Sequence, residues 1–260
     1  MSKQHAADLP AIPARHSRVG HALVYWGLVR SAIWSQFDRV WISTDGPIPQ
    51  PHEGPLIIYM NHPSWWDGYM AFVLNHVLLG GRFEGYAMMD EQQIRMYRFF
   101  SWSGAFSVHR QDPRSAMRSV AYVGRLLAER RDRSLYIFPQ GEITPNDRRP
   151  LEVFSGVAHV VRRAGGATLW PVALRYEFRG EQRPEAFIRV GPAHHAPADS
   201  DSRALTAEVG ARLTAACDAL RDEVNAGRLE DYRVLLRGRA GVNRVWDSVR
   251  GRLPGRRPGD

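Results

Sequence analysis

The run Leu56-Ile57-Ile58-Tyr59-Met60 constrains this chain more than any other stretch. Consecutive apolar, β-prone residues without helical spacing predict a strand buried on both faces. Such a strand needs helices on either side of its sheet, which points to an α/β architecture. Asn61 and Pro63 end the run, so His62 is delivered to a loop at the strand's carboxyl end, the edge where open α/β sheets place their ligands. Asp67 follows about one helical turn later, where a loop opening into a helix brings a carboxylate back toward the ring. An imidazole held by a carboxylate is a general base for a hydroxyl, because the anion fixes the tautomer and stabilises the imidazolium that forms. A capping Asn, a solvated His and an Asp at a helix N-terminus account for the same residues, and this stretch alone does not separate the two readings.

The rest of the chain repeats the strand and helix alternation. Predicted strands at 86–89, 105–110, 135–138, 168–176 and 187–190 alternate with predicted helices at 68–79, 91–100, 114–131, 151–163 and 204–226. That order predicts a mixed, largely parallel sheet flanked by helices. Met117, Val120, Val123, Leu126 and Leu127 are expected on the core side of the 114–131 helix, and the 151–163 helix is expected to be interrupted near Gly156. Pro171 inside the 168–176 run predicts a sheet edge or a strand start. Ahead of the first strand, residues 17–43 read as helix rich in aromatics. Leu23, Trp26, Ile33, Trp34, Phe37 and Trp41 fall on one stripe at helical spacing, with Arg18, Arg30 and Arg39 as cations. A helix of this kind suits a bilayer surface or the domain's own core, and Arg30 inside the stripe would have to snorkel. The resulting division is an N-terminal membrane-docking helical segment at 1–50, a catalytic domain at 51–232 and a basic tail at 233–260. In that tail Val242, Val245, Trp246, Val249 and Leu253 are spaced like one helical face.

Composition narrows the classes. At 260 residues with 44% hydrophobic residues, the chain buries a real core, and a single larger α/β domain is expected. The net charge of +8 is carried mostly by arginine, which suits phosphate or an anionic surface. The basic residues are scattered over several elements and no nucleic-acid module is recognisable, so nucleic acid is not the expected partner. A single cysteine, Cys217, excludes an intramolecular disulfide and a cysteine-based zinc cluster. His194-His195 has no second ligand pair at fixed spacing, so no metal is expected. No signal peptide is evident, and the apolar stretch 22–29 is far shorter than a spanning helix.

Four stretches at predicted strand ends come in a fixed order: Asn61-His62 with Asp67, Gly104 to Arg110 with Phe106 between them, Phe138-Pro139-Gln140-Gly141-Glu142, and Trp170-Pro171-Val172. This set resembles the glycerolipid acyltransferase family, typified by lysophosphatidic acid acyltransferases, across roughly residues 55 to 192. The family pattern is NHx4D, GxxFxxR, FPEGTR and an apolar-Pro-Val/Ile block. The resemblance implies a glycerol-3-phosphate acyltransferase-like fold in which His62 takes the proton of an acceptor hydroxyl and Asp67 orients it. It also implies direct transfer from acyl-CoA or acyl carrier protein without a bound cofactor or a covalent acyl-enzyme. Arg110 would bind the acceptor's phosphate, and Pro171 would shape a pocket.

The third motif departs from the family. Where the pattern has Glu-Gly-Thr-Arg, this chain has Gln140-Gly141-Glu142-Ile143. Arg148 and Arg149 are the expected replacements for the missing arginine, completing an acceptor site with Gln140, Gly141 and Glu142. The expected acceptor is lysophosphatidic acid or a related lysolipid, on the cytoplasmic face of a membrane to which the enzyme binds peripherally. A glycolipid, a glycosylated terpenoid or an aminolipid hydroxyl is the alternative, and a thioester or lipid hydrolase using the same His/Asp pair is the rival chemistry.

Overall fold

The computed structural model describes residues 9–109, 111–239 and 241. Among them, strand β1 is Arg39–Thr44, β2 Leu56–Met60, β3 Glu84–Asp90, β4 Ala105–Val108, β5 Arg133–Ile137, β6 Ala167–Glu177, β7 Glu185–Val190, β8 His194–Ala196 and β9 Arg233–Arg237. They form one sheet in the order β4-β3-β5-β2-β6-β7-β1-β9, with β8 paired to β6. From β4 to β6 every neighbouring pair is parallel. Beyond β6 the pairing is mixed: β7 runs antiparallel to β6, β1 parallel to β7, and β9 antiparallel to β1. The expected mixed, largely parallel sheet is what the chain builds.

Strand β2 lies between β5 and β6 with all of its residues buried. Its alternation divides the core: Leu56, Ile58 and Met60 face one layer, and Ile57 and Tyr59 face the other. Each such fully buried side chain contributes roughly 1.5–3 kcal/mol. The first layer is covered by helix α1, continuous through Arg18–Leu23, a π-helical Val24–Val29 and Arg30–Gln36, and by helix α2, Asp67–Val73 continuing through Leu74–Leu78. A short helix α3, Glu91–Met96, and a 3-10 turn, Arg98–Ser103, lead to β4. Helices α4, Pro113–Glu129, α5, Gly156–Ala164, and α6, Ser202–Asn225, cover the second layer.

Six expectations are corrected. The helix predicted over 17–43 stops at Gln36, and Trp41 lies in β1, where its indole N–H donates to Glu185 at 2.8 Å. Period-two alternation and a charged partner on β7 won over helical spacing there, so the 1–50 segment contributes a strand to the main sheet. The stripe on α1 also splits. Tyr25, Val29 and Ile33 face the core, while Leu23, Trp26 and Trp34 face outward. Gly20 lets α1 approach the 3-10 turn, since a Cβ there would lie 2.6 Å from the Cβ of Trp102. At the other end, residues 233–237 of the expected tail are β9. The remainder of that tail, with its helical-face residues, lies outside the described residues.

Pro171 sits in β6 between β2 and β7 rather than at an edge. Its carbonyl accepts from Gly191 N–H at 3.0 Å, so its missing N–H would have pointed to the same side. That is where β6 changes partner from β8, which ends opposite Leu169, to β7, which begins opposite Val172. No rung is therefore lost. On α4, Met117 is exposed, because the buried arc runs through Ser119 and Val123 instead. The Ser119 hydroxyl tolerates that position by donating to the Ser107 carbonyl at 2.9 Å. Helix α5 begins only at Gly156, since the preceding residues return over the loop after β5, where Phe154 N–H donates to the Pro139 carbonyl at 2.9 Å.

Candidate active site

The chain leaves β2 through Asn61, which is buried and reaches across to β6. Its amide nitrogen donates to the Leu174 carbonyl at 2.9 Å and its oxygen accepts the Leu174 N–H at 2.7 Å. A side-chain amide thus takes the place of a backbone rung on Leu174. His62 follows at the carboxyl end of the sheet. Its Nδ1 lies 2.7 Å from Asp67 Oδ2, and its side chain is 22% exposed.

Asp67 is fully buried in the first turn of α2, where the helix dipole favours a negative charge. Oδ2 also accepts the Ser64 N–H at 2.9 Å, and Oδ1 accepts the Tyr176 hydroxyl at 2.6 Å. Burial raises the Asp67 carboxyl above the usual range, and the bonds donated by His62, Tyr176 and the Ser64 amide oppose that rise. An ionised carboxylate accepts all three of these bonds at once, and in that state Nδ1 carries the imidazole proton and Nε2 keeps a free lone pair.

Further contacts hold the ring and its backbone. Phe138 stacks on the imidazole with centroids 4.3 Å apart and an interplanar angle of 19°. His62 N–H donates to Gln140 Oε1 at 2.9 Å, and the His62 carbonyl accepts Thr144 N–H at 2.9 Å. Gln140 is buried, and its Nε2 donates to Thr144 Oγ1. Gly141 makes the turn between them with φ +71°, a conformation that favours glycine. The loop after β5 is in this way bonded to the loop after β2.

Of the residues expected to bind an acceptor, those described lie on the loop after β5. Gln140 faces inward, with both ends of its amide engaged. Arg149 is tied to Asp218, at 2.6 and 3.0 Å, and to the Asn146 carbonyl at 2.9 Å. Glu142, Ile143 and Arg148 are exposed on the loop. Arg110 lies outside the described residues. The remaining motif positions are structural. Gly104 has φ +99°, and a Cβ on it would lie 2.1 Å from the Gly85 carbonyl oxygen, while Phe106 packs on Tyr122 in the core. Among the described residues, no group of three or more His, Cys, Asp or Glu side chains is placed to hold a metal ion.

Gln140→Ala should lower kcat about tenfold with little change in KM, since the lost bond positions the base rather than the acceptor. Steady-state kinetics over a range of acceptor concentrations check this; an effect confined to KM would place Gln140 against the acceptor instead.

A model of the acyltransferase family matches residues 42–175, just over half of the chain. The chain belongs to that acyltransferase family. The matched stretch contains Asn61, His62, Asp67, Phe138, Gln140 and Pro171, and with them both hydrogen-bonded loops, after β2 and after β5, of this acyltransferase. No curated protein matches the chain. Among solved structures it is similar to the crystal structure of the 1-acyl-sn-glycerophosphate (LPA) acyltransferase, PlsC, from Thermotoga maritima, with a TM-score of 0.52 and 13% identity over 80% of this chain and 83% of that one. At that identity the likeness is one of fold.

Sequence reasoning did not single out Tyr176. It lies one residue beyond the matched stretch and reaches Asp67 from β6. Its phenol is held well above its ordinary value, first by burial and then by the Asp67 charge, so it acts as a donor. The Cys217 thiol, buried in α6, is pushed up to about 12 by burial and is no nucleophile at neutral pH for this acyltransferase.

Proposed function

We propose that this acyltransferase moves a fatty acyl group from an acyl thioester, acyl-CoA or acyl carrier protein, to a hydroxyl of a lipid acceptor. The observation that carries the reading is the His62–Asp67 pair, whose geometry leaves Nε2 as a free base at the rim of the sheet. Nε2 takes the acceptor's hydroxyl proton as the oxygen attacks the thioester carbonyl. The carbon–sulfur bond then breaks, and the thiolate leaves with the proton returned from the imidazolium. Asp67 stabilises that imidazolium while it exists. Direct transfer fits a chain whose lone thiol is buried and unactivated.

Two surface features support a lipid acceptor met at a bilayer. Val19, Leu23, Trp26 and Trp34 project outward from α1, and Trp102 is exposed on the 3-10 turn packed against that helix. Interfacial tryptophans on a helix carrying Arg18 and Arg30 suit docking on an anionic membrane. Among the described residues no helix is long and apolar enough to cross one. Ile143, where the resembled pattern has arginine, and the engagement of Arg149 with Asp218 favour an acceptor without a phosphomonoester over lysophosphatidic acid. A glycolipid, terpenoid glycoside or aminolipid hydroxyl meets that condition.

The test presents radiolabelled acyl-CoA or acyl carrier protein, with liposomes containing lysophosphatidic acid, lysophospholipid, glycolipid or aminolipid acceptors, to the wild type and to His62→Ala. Label is expected in one acceptor class, with a preference for acceptors lacking the phosphomonoester, and lost in the variant. Release of free fatty acid alone would favour a thioesterase using the same pair.

A further inference from the structure

We infer that Tyr176 is a positioning residue of the acyl-transfer site, fixing the Asp67 carboxylate through its second oxygen so that the first stays aligned on the His62 ring. The inference rests on the reading of His62 as the base and extends the site by one residue from a distant strand.

Asp67 lies on a loop and helix start bonded to the sheet through few atoms. Its Oδ2 takes two donors from its own neighbourhood, His62 Nδ1–H and Ser64 N–H. Without a partner on Oδ1, a buried carboxylate of this kind would be free to turn about its terminal torsion and would carry an unsolvated charge. Tyr176 supplies the partner at 2.6 Å. It does so from β6, whose Leu174 two residues earlier is clamped to Asn61. The strand that ends β2 and the strand that holds the carboxylate are therefore the same piece of backbone, so the His62–Asp67 distance is set from both sides.

The phenol is itself held. Its ring contacts Phe37 at 5.9 Å, and Phe37 packs edge-on against Trp66 at 5.0 Å, the residue just before Asp67. The titratable groups that the structure brings against Asp67 are His62 from its own loop and Tyr176 from β6. The hydroxyl proton points at the carboxylate, so the bond holds Oδ1 in place while Oδ2 faces the ring.

Tyr176→Phe removes the hydroxyl and keeps the ring. The expected result is a fall in kcat of about ten- to hundredfold, the worth of a hydrogen bond to a buried charge. In labelled protein, the His62 Nδ1 proton resonance, which reports the bond to Asp67 without needing turnover, should broaden or move. If the acyl acceptor has been misjudged, activity will be absent in both proteins while the resonance still responds, which separates the two readings. A variant with wild-type resonance and kcat, or one that fails to fold, assigns Tyr176 to packing alone and overturns the inference.

Discussion

His62→Ala is expected to lower acyl transfer by about two to four orders of magnitude, the range general-base catalysis supplies. Nothing else in the site takes over the proton. Asp67 points its oxygens inward to Ser64 and Tyr176, and the nearest aromatic, Phe138, has no base to offer. The fold should survive, because the ring is a partly exposed loop side chain and removal takes one of three donors from Asp67. A loss of about 1 kcal/mol corresponds to a fall in Tm of roughly 2–4 °C for a chain of this size. Single-turnover transfer and a thermal melt on the same preparation check both halves. Retained activity would remove His62 from the chemistry, and a collapsed melt would make the activity loss uninformative.

The second large effect is expected from Asp67→Asn, at about 10⁴-fold in kcat by comparison with other oriented imidazoles. The amide keeps the size of the carboxyl but turns one acceptor into a donor. Three donors then face a group with a single accepting oxygen. If the amide nitrogen faces His62, the ring must present Nδ1 as acceptor and carry its proton on Nε2, where the base is needed. If it faces Tyr176, the hydroxyl turns to accept from it and the ring keeps its tautomer, but the negative charge that stabilises the imidazolium is gone. Either way the carboxylate's contribution is lost. Kinetics of the Asn and Ala variants side by side test this, since loss of the charge leaves Asn far below wild type, whereas a role limited to bulk would leave Asn close to wild type.

Much of this site was legible in the chain before any coordinates. A run such as Leu56 to Met60 has no other stable use than a doubly buried strand, and the residue after a buried strand must emerge at a sheet edge. The five-residue step from His62 to Asp67 is local, so one helix start fixes it. What stayed hidden depends on chain segments far apart. Tyr176 reaches Asp67 only because β6 lies beside β2. Gln140 reads as an acceptor ligand in isolation, and only the meeting of two loops turns it inward to His62 N–H. Trp41 illustrates a different limit: aromatics at 34, 37 and 41 satisfy helical spacing, and the pairing of Val40 with both Ala186 and Leu236 decides for a strand.

That same pairing orders events during synthesis. β1 is made early, yet its partners β7 and β9 emerge from the ribosome far later, and at usual elongation rates the interval is on the order of ten seconds or more. For that time the backbone of Val40 to Thr44 has no neighbour in the sheet, and the helix before it carries its outward tryptophans on a tether not yet anchored. An unpaired strand beside an apolar helix invites association with other nascent chains. Ending the chain before Arg233 would make half of that condition permanent: β1 would pair with β7 but keep an open edge on its β9 side, and the protein would be expected to aggregate even though every residue of the His62 loop was present.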